Sequence, residues 1–149
     1  MPSSRRGSTV VPTLSYRDAP AMIDWLVRAF GFRKQAVYTD GDVVLHAQLT
    51  FGDTGMVMLG SANKDGDWAK LMAQPDEIGG RSTHGVCVVV DDADAQYARA
   101  KEAGAQIVID IADQHYGGRG FAARDPEGYV WWFGSYDPWT DDGNENGNT

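Results

Sequence analysis

The sequence is short of the residues that covalent and metal scaffolds need. Of its 149 residues one, Cys87, is a cysteine and three are histidines. Intrachain disulfides and thiolate-rich zinc sites are therefore excluded. Cys87 stands in the apolar run 86–90 with no cationic neighbour, which predicts a buried small hydrophobe rather than a catalytic thiolate. Basic residues are scarce too: 13 Lys and Arg face 21 Asp and Glu, a net charge of −8. With no basic stripe to offset it, that field repels phosphate backbones and argues against nucleic acid as a partner. No apolar stretch approaches the ~20 residues that a membrane-spanning helix needs, so no membrane partner is expected. Residues 1–8 (MPSSRRGS) are polar and no apolar run comes after them; no secretory leader is read there, and the expected location is cytoplasmic.

What is present is a grammar used twice. A strand-like run, 10–16, leads to Asp18, which can cap a helix. Its apolar residues Met22, Ile23, Leu26, Val27 and Phe30 recur at three- and four-residue spacing, with Pro20 in the first turn and Gly31 to close it. Further on, the strand 86–90 leads to Asp91 and Asp92, a helix over 93–103, and Gly104. Aligning Asp91 with Asp18 makes the two cap-to-glycine distances equal, the signature of a duplication. Each helix precedes three strand signals: 35–39, 43–51 and 56–59 in the first half, and 106–111, 120–124 and 129–133 in the second. Asp125-Pro126-Glu127-Gly128 reads as a tight turn in which the acids serve backbone geometry.

The expected organisation is a polar tail at 1–8 and one domain over 9–136, then a mostly disordered acidic tail over 137–149 that Trp139 pins at its start. Within the domain, module one covers 9–60, a linker with a helical signal at 67–72 covers 61–82, and module two covers 83–136. Alternation along 43–51 puts Leu45, Ala47, Leu49 and Phe51 on one face and Val44, His46, Gln48 and Thr50 on the other. The first face suits a packed helix. The second either lines a small-molecule site or satisfies its own polar groups against water.

Four segments, PAMIDWLVRAFGF, HAQLTFGDTGMVMLG, GVCVVVDDADAQYARAKEAGA and RGFAARDPEGYVWWFGSYDPW, together resemble the vicinal oxygen chelate proteins. That superfamily holds glyoxalase I, extradiol dioxygenases, fosfomycin-resistance enzymes and bleomycin-binding proteins. The resemblance spans about residues 9–139. It implies an α+β fold of two tandem βαβββ modules curling into a cup-shaped mixed sheet with helices outside, often as a homodimer.

Catalytic members place a divalent metal on four strand positions filled by His, Glu or Gln. Carried over, those positions fall on Val11, Met58 (Met56 if the register slips), Gly85 and Trp132. Aligning Asp91 with Asp18 would put His84 in place of Gly85; the strand end at Asp92 favours Gly85. None of these makes a hard-cation site, and His46, His84 and His115 are not expected to converge. No metal or other cofactor is therefore expected, and no catalytic residue is assigned.

The resemblance to metal-free members implies a cup that holds an aromatic or planar ligand. The candidate ligand-binding residues are His46, Gln48, Met56, Met58, Trp68 as a lid, Tyr116 and Arg119 at the rim, and Trp132 at the vacated ligand position. Trp25 is expected to pack in the core. Two other readings stay open: an enzyme of the glyoxalase or dioxygenase kind with a displaced metal site, and a structural dimer whose cup Trp132 fills.

Overall fold

The computed structural model describes residues 7–63, 66–141 and 143. Module one runs β1 (Thr13–Tyr16), α1 (Ala19–Phe30), β2 (Arg33–Asp40), β3 (Val43–Phe51) and β4 (Gly55–Ser61). Module two repeats the order with β5 (Val86–Val89), α2 (Ala93–Glu102), β6 (Gln106–Asp113), β7 (Arg119–Arg124) and β8 (Val130–Gly134). The sheets are ordered β1-β4-β3-β2 and β5-β8-β7-β6, each with one parallel pair, β1 with β4 and β5 with β8.

The helix ends are set by their caps. The Asp18 side chain accepts from Ala21 N–H, and Gly31, at φ +89°, donates its own N–H back to the Leu26 carbonyl. Gly31→Ala would force a side chain into that left-handed conformation; a loss of about 1–2 kcal/mol is expected in thermal denaturation. In module two the capping residue is Asp92, accepting from Ala95 N–H, so Asp92 rather than Asp91 is the counterpart of Asp18.

The two modules meet through their helices. Phe30 at the end of α1 lies 5.2 Å from the Trp131 ring and 4.7 Å from Phe133, both on β8. Trp25 is buried there, its Nε1–H donating to the Ala103 carbonyl at 3.1 Å. Arg99 of α2 donates to the carbonyls of Arg28 and Val27, and Gln96 donates to that of Phe30. Side chains of α2 thus satisfy the carbonyls that α1 leaves open at its C-terminus. Each sheet gives its apolar face to this shared core. The expected α+β fold of two βαβββ modules is what the chain forms: two four-stranded mixed sheets with the helices between them, not closed, the second face of each left open.

Three expectations are corrected. Leu45 does not share the core face with Ala47 and Leu49: a register shift opposite Tyr38 and Thr39 bulges β3, turning Val44 inward and leaving Leu45 47% exposed. Cys87 is exposed rather than buried, because it pairs in register with Trp132 on the open face of an edge strand. Trp139 is 92% exposed and pins nothing by burial, although its segment forms a 3-10 turn capped by Asp137. The linker holds two 3-10 turns, Ala69–Leu71 and Pro75–Ile78. The expected tails lie largely outside the described residues.

Candidate functional site

The open face of module one is built by β1, β3 and β4. Thr13, His46 and Met58 project from it, and Trp68 from the linker stands over them, enclosing with neighbouring backbone a cavity of about 200 Å³. Gln48, two residues along β3, hydrogen-bonds His46 at 2.9 Å. His46, Gln48, Met58 and Trp68 therefore gather in one place. Met56 sits further along β4, in a separate cleft of about 530 Å³ that also touches Cys87, Val89 and Trp139. The linker beyond Trp68 is anchored: buried Gln74 donates to the Ser15 carbonyl at 2.8 Å, and Arg17 grips both oxygens of Asp76.

The open face of module two is organised around Trp132. Its neighbours Trp131 and Phe133 are fully buried against Phe30, so strand alternation turns Trp132 the other way. Gly120 and Gly134 pair across β7 and β8 beside it. A Cβ at Gly120 would stand 2.6 Å from the indole, and one at Gly134 only 2.8 Å from its Nε1. The indole thus lies low across two glycines, a flat aromatic surface on the sheet.

Of the two rim candidates, one is tied up by other partners. Arg119 is not a free cation: its guanidinium pairs with Asp94 of α2 at 3.1 Å and Asp113 at 3.3 Å. It lies on the helix side because β7 alternates Gly120 outward and Phe121 into the core. Tyr116 packs edge-on against Tyr136 at 5.1 Å in the turn before β7. One chain does not bring Trp132 together with His46 and Met58, since they occupy open faces of different sheets.

The sequence reading missed the clamp between modules. Asp125, read as a turn residue, is buried and accepts four hydrogen bonds: Tyr16 O–H at 2.6 Å, Trp131 Nε1–H at 3.1 Å, and the backbone N–H groups of Glu127 and Tyr129. Glu127 accepts from the N–H groups of Arg17 and Asp18, tying the same turn to the start of α1. Burial is the main cause that pushes the Asp125 carboxyl above its ordinary range. Burial, then the nearby Asp125 charge, hold the Tyr16 hydroxyl well above its own. Partial burial likewise raises the Cys87 thiol, which disfavours a reactive thiolate. The only sequence signal for the clamp was an acid in a tight turn with aromatics just beyond it.

The positions that the resemblance assigns to a metal can now be placed. Thr13 pairs with Met58 and Cys87 with Trp132, each at the same distance before its helix cap, which makes Gly85 and not His84 the equivalent of Val11. Valine, methionine, glycine and tryptophan offer no hard donor, so this set does not fit a divalent cation. Among the described residues no other cluster of three or more His, Cys, Asp or Glu could hold one. Among them, too, no helix is long and apolar enough to cross a membrane.

Comparison with known proteins supports the same architecture. The crystal structure of TioX from Micromonospora sp. ML1 is 34% identical, covering 86% of this chain and 98% of that one, with a TM-score of 0.68. The fosfomycin resistance protein FosX from Mesorhizobium loti is 17% identical over 89% of this chain and 94% of its own, with a TM-score of 0.61. A glyoxalase I mutant from Zea mays is 19% identical over 83% of this chain and 43% of its own, with a TM-score of 0.65. Among curated proteins none matches. The family model described as Glyoxalase/Bleomycin resistance protein/Dioxygenase superfamily matches residues 9–133, and the chain belongs to that superfamily.

Proposed function

We propose that this protein binds a small planar or aromatic molecule, without the metal of its catalytic relatives, in a cup that two copies of the chain complete. The observation that carries the reading is Trp132. At the position where a metal-binding relative would carry a ligand, it presents a flat indole, seated on Gly120 and Gly134 and turned away from the core. Such a surface stacks on the π-face of a ligand.

The second wall is the open face of module one in the other copy: Met58 and the Trp68 lid for apolar contact, His46 and Gln48 for fixed hydrogen bonds. Placing one face on the other, and the reverse, is a self-complementary two-fold arrangement that yields two equivalent cups per homodimer. Tyr116, in the turn before β7, is assigned to its rim, whereas Met56, which lines a separate cleft, and Arg119, which is ion-paired, are not assigned to it. The location that fits is the cytoplasm.

The test is tryptophan fluorescence in a titration with planar aromatic probes, combined with elemental analysis. Quenching and a thermal shift in protein free of stoichiometric zinc, nickel, manganese or iron support the reading. A full equivalent of bound metal would replace it with a metalloenzyme, and a broad aromatic library without any shift would favour a cup filled by its own side chains.

A further inference from the structure

Gln35, Gln48 and His46 stand side by side on neighbouring strands of the open face of module one. The Gln48 Nε2 amide donates to Gln35 Oε1 at 2.5 Å. That leaves Gln48 Oε1 as the atom facing His46 Nε2, 2.9 Å away. An amide oxygen only accepts, so Nε2 carries the proton. A neutral imidazole has a single N–H, and its other nitrogen, Nδ1, is then a bare acceptor. Tyr38 stacks on the ring with centroids 6.2 Å apart and planes 22° apart, which holds its tilt. The ring borders the cavity shared with Thr13, Met58 and Trp68.

We propose that Gln35 and Gln48 form an amide relay that fixes His46 as its Nε2–H tautomer, so that Nδ1 selects ligands carrying an O–H or N–H donor beside an aromatic plane. Gln48 is the positioning residue and His46 makes the contact. The ligand half of this proposal rests on the binding role of the face proposed above; the tautomer half does not.

The experiment has two readouts on the full-length chain. Histidine-labelled protein is measured by long-range nitrogen–proton NMR at a pH of about 8.5, two units above the ordinary imidazole value. The expected result is an Nε2–H signal protected from exchange, with Nδ1 unprotonated; Gln48→Met loses the protection. An Nδ1–H form would overturn the relay. For the ligand, 1-naphthol is titrated against 1-methoxynaphthalene, which keeps the ring and the oxygen but carries a methyl group in place of the donor hydrogen. Naphthol is expected to bind about tenfold tighter, the worth of one hydrogen bond, with the preference abolished in His46→Phe. Equal affinity for the two overturns the donor preference. An Nε2–H tautomer with neither compound bound leaves the relay standing and sinks the binding reading of the face.

Discussion

Asp125→Ala is expected to destabilise the protein by about 3–5 kcal/mol, the range for breaking one side of a buried, hydrogen-bonded charged site. The substitution strips the acceptor from the Tyr16 hydroxyl, the Trp131 indole and two backbone N–H groups at once. Left unpaired, each such donor costs about 1–3 kcal/mol if it stays buried, and water entering the gap offsets part of that sum. Because Tyr16 belongs to β1 and Trp131 to β8, the loss falls on the contact between modules. Asp125→Asn should fall in between, since an amide keeps one acceptor but turns a donor towards groups that also donate.

The two variants also carry a pH signature. Burial raises the Asp125 carboxyl in the folded state, so the folded chain holds its proton at a pH where the unfolded chain has released it. The stability this linkage supplies is full below the ordinary carboxylate range and is lost as pH rises through the folded value. Asp125→Asn has no such proton to lose. The stability of the wild type relative to Asp125→Asn should therefore decline as pH climbs from about 4 towards neutrality. Thermal denaturation across that range checks it, and a wild-type advantage that grows with pH would contradict the assignment.

Trp132→Ala is expected to reduce affinity for planar aromatic probes between about tenfold and a hundredfold, the worth of one stacked ring, and to remove most of the ligand-dependent quenching. Folding should survive, since the indole faces away from the core that Trp131 and Phe133 fill. Gly134→Ala is the sharper variant. The three atoms nearest its new Cβ all belong to the Trp132 ring, Nε1 at 2.8 Å, so the indole must lift from its seat while the residue itself remains. A similar drop in affinity in Gly134→Ala, with stability little changed, identifies the flat seat as the requirement. Unchanged affinity in both variants would exclude Trp132 as the platform.

Much of this architecture was legible because short-range rules govern it. The helix caps at Asp18 and Gly31 and the apolar periodicity of α1 come from spacing alone, while the outward place of Trp132 came from the resemblance. The bulge at Leu45 was not legible, since an extra residue in β3 shows only against its pairing with β2. Arg119 misled because alternation tells which face a side chain takes only once the strand's start is known. Its ion partners Asp94 and Asp113 come from α2 and the end of β6. Asp125 was invisible as a clamp for the same reason: its hydroxyl partner, Tyr16, is 109 residues away. Nor does spacing reveal that the two modules share their helix sides, which sets their open faces apart and is the ground for proposing a cup completed by two chains.

That last point admits a direct measurement by mixing two disabled variants. Trp132→Ala breaks the module-two wall and Met58→Asp the module-one wall, so each homodimer has no intact cup. Exchanged with one another, random pairing makes mixed dimers that carry one wild-type cup and one doubly broken cup, or roughly a quarter of all cups restored. Recovery of 1-naphthol binding to about that stoichiometry is the predicted result. No recovery after demonstrated subunit exchange, or full binding by either variant alone, would contradict a cup shared between copies.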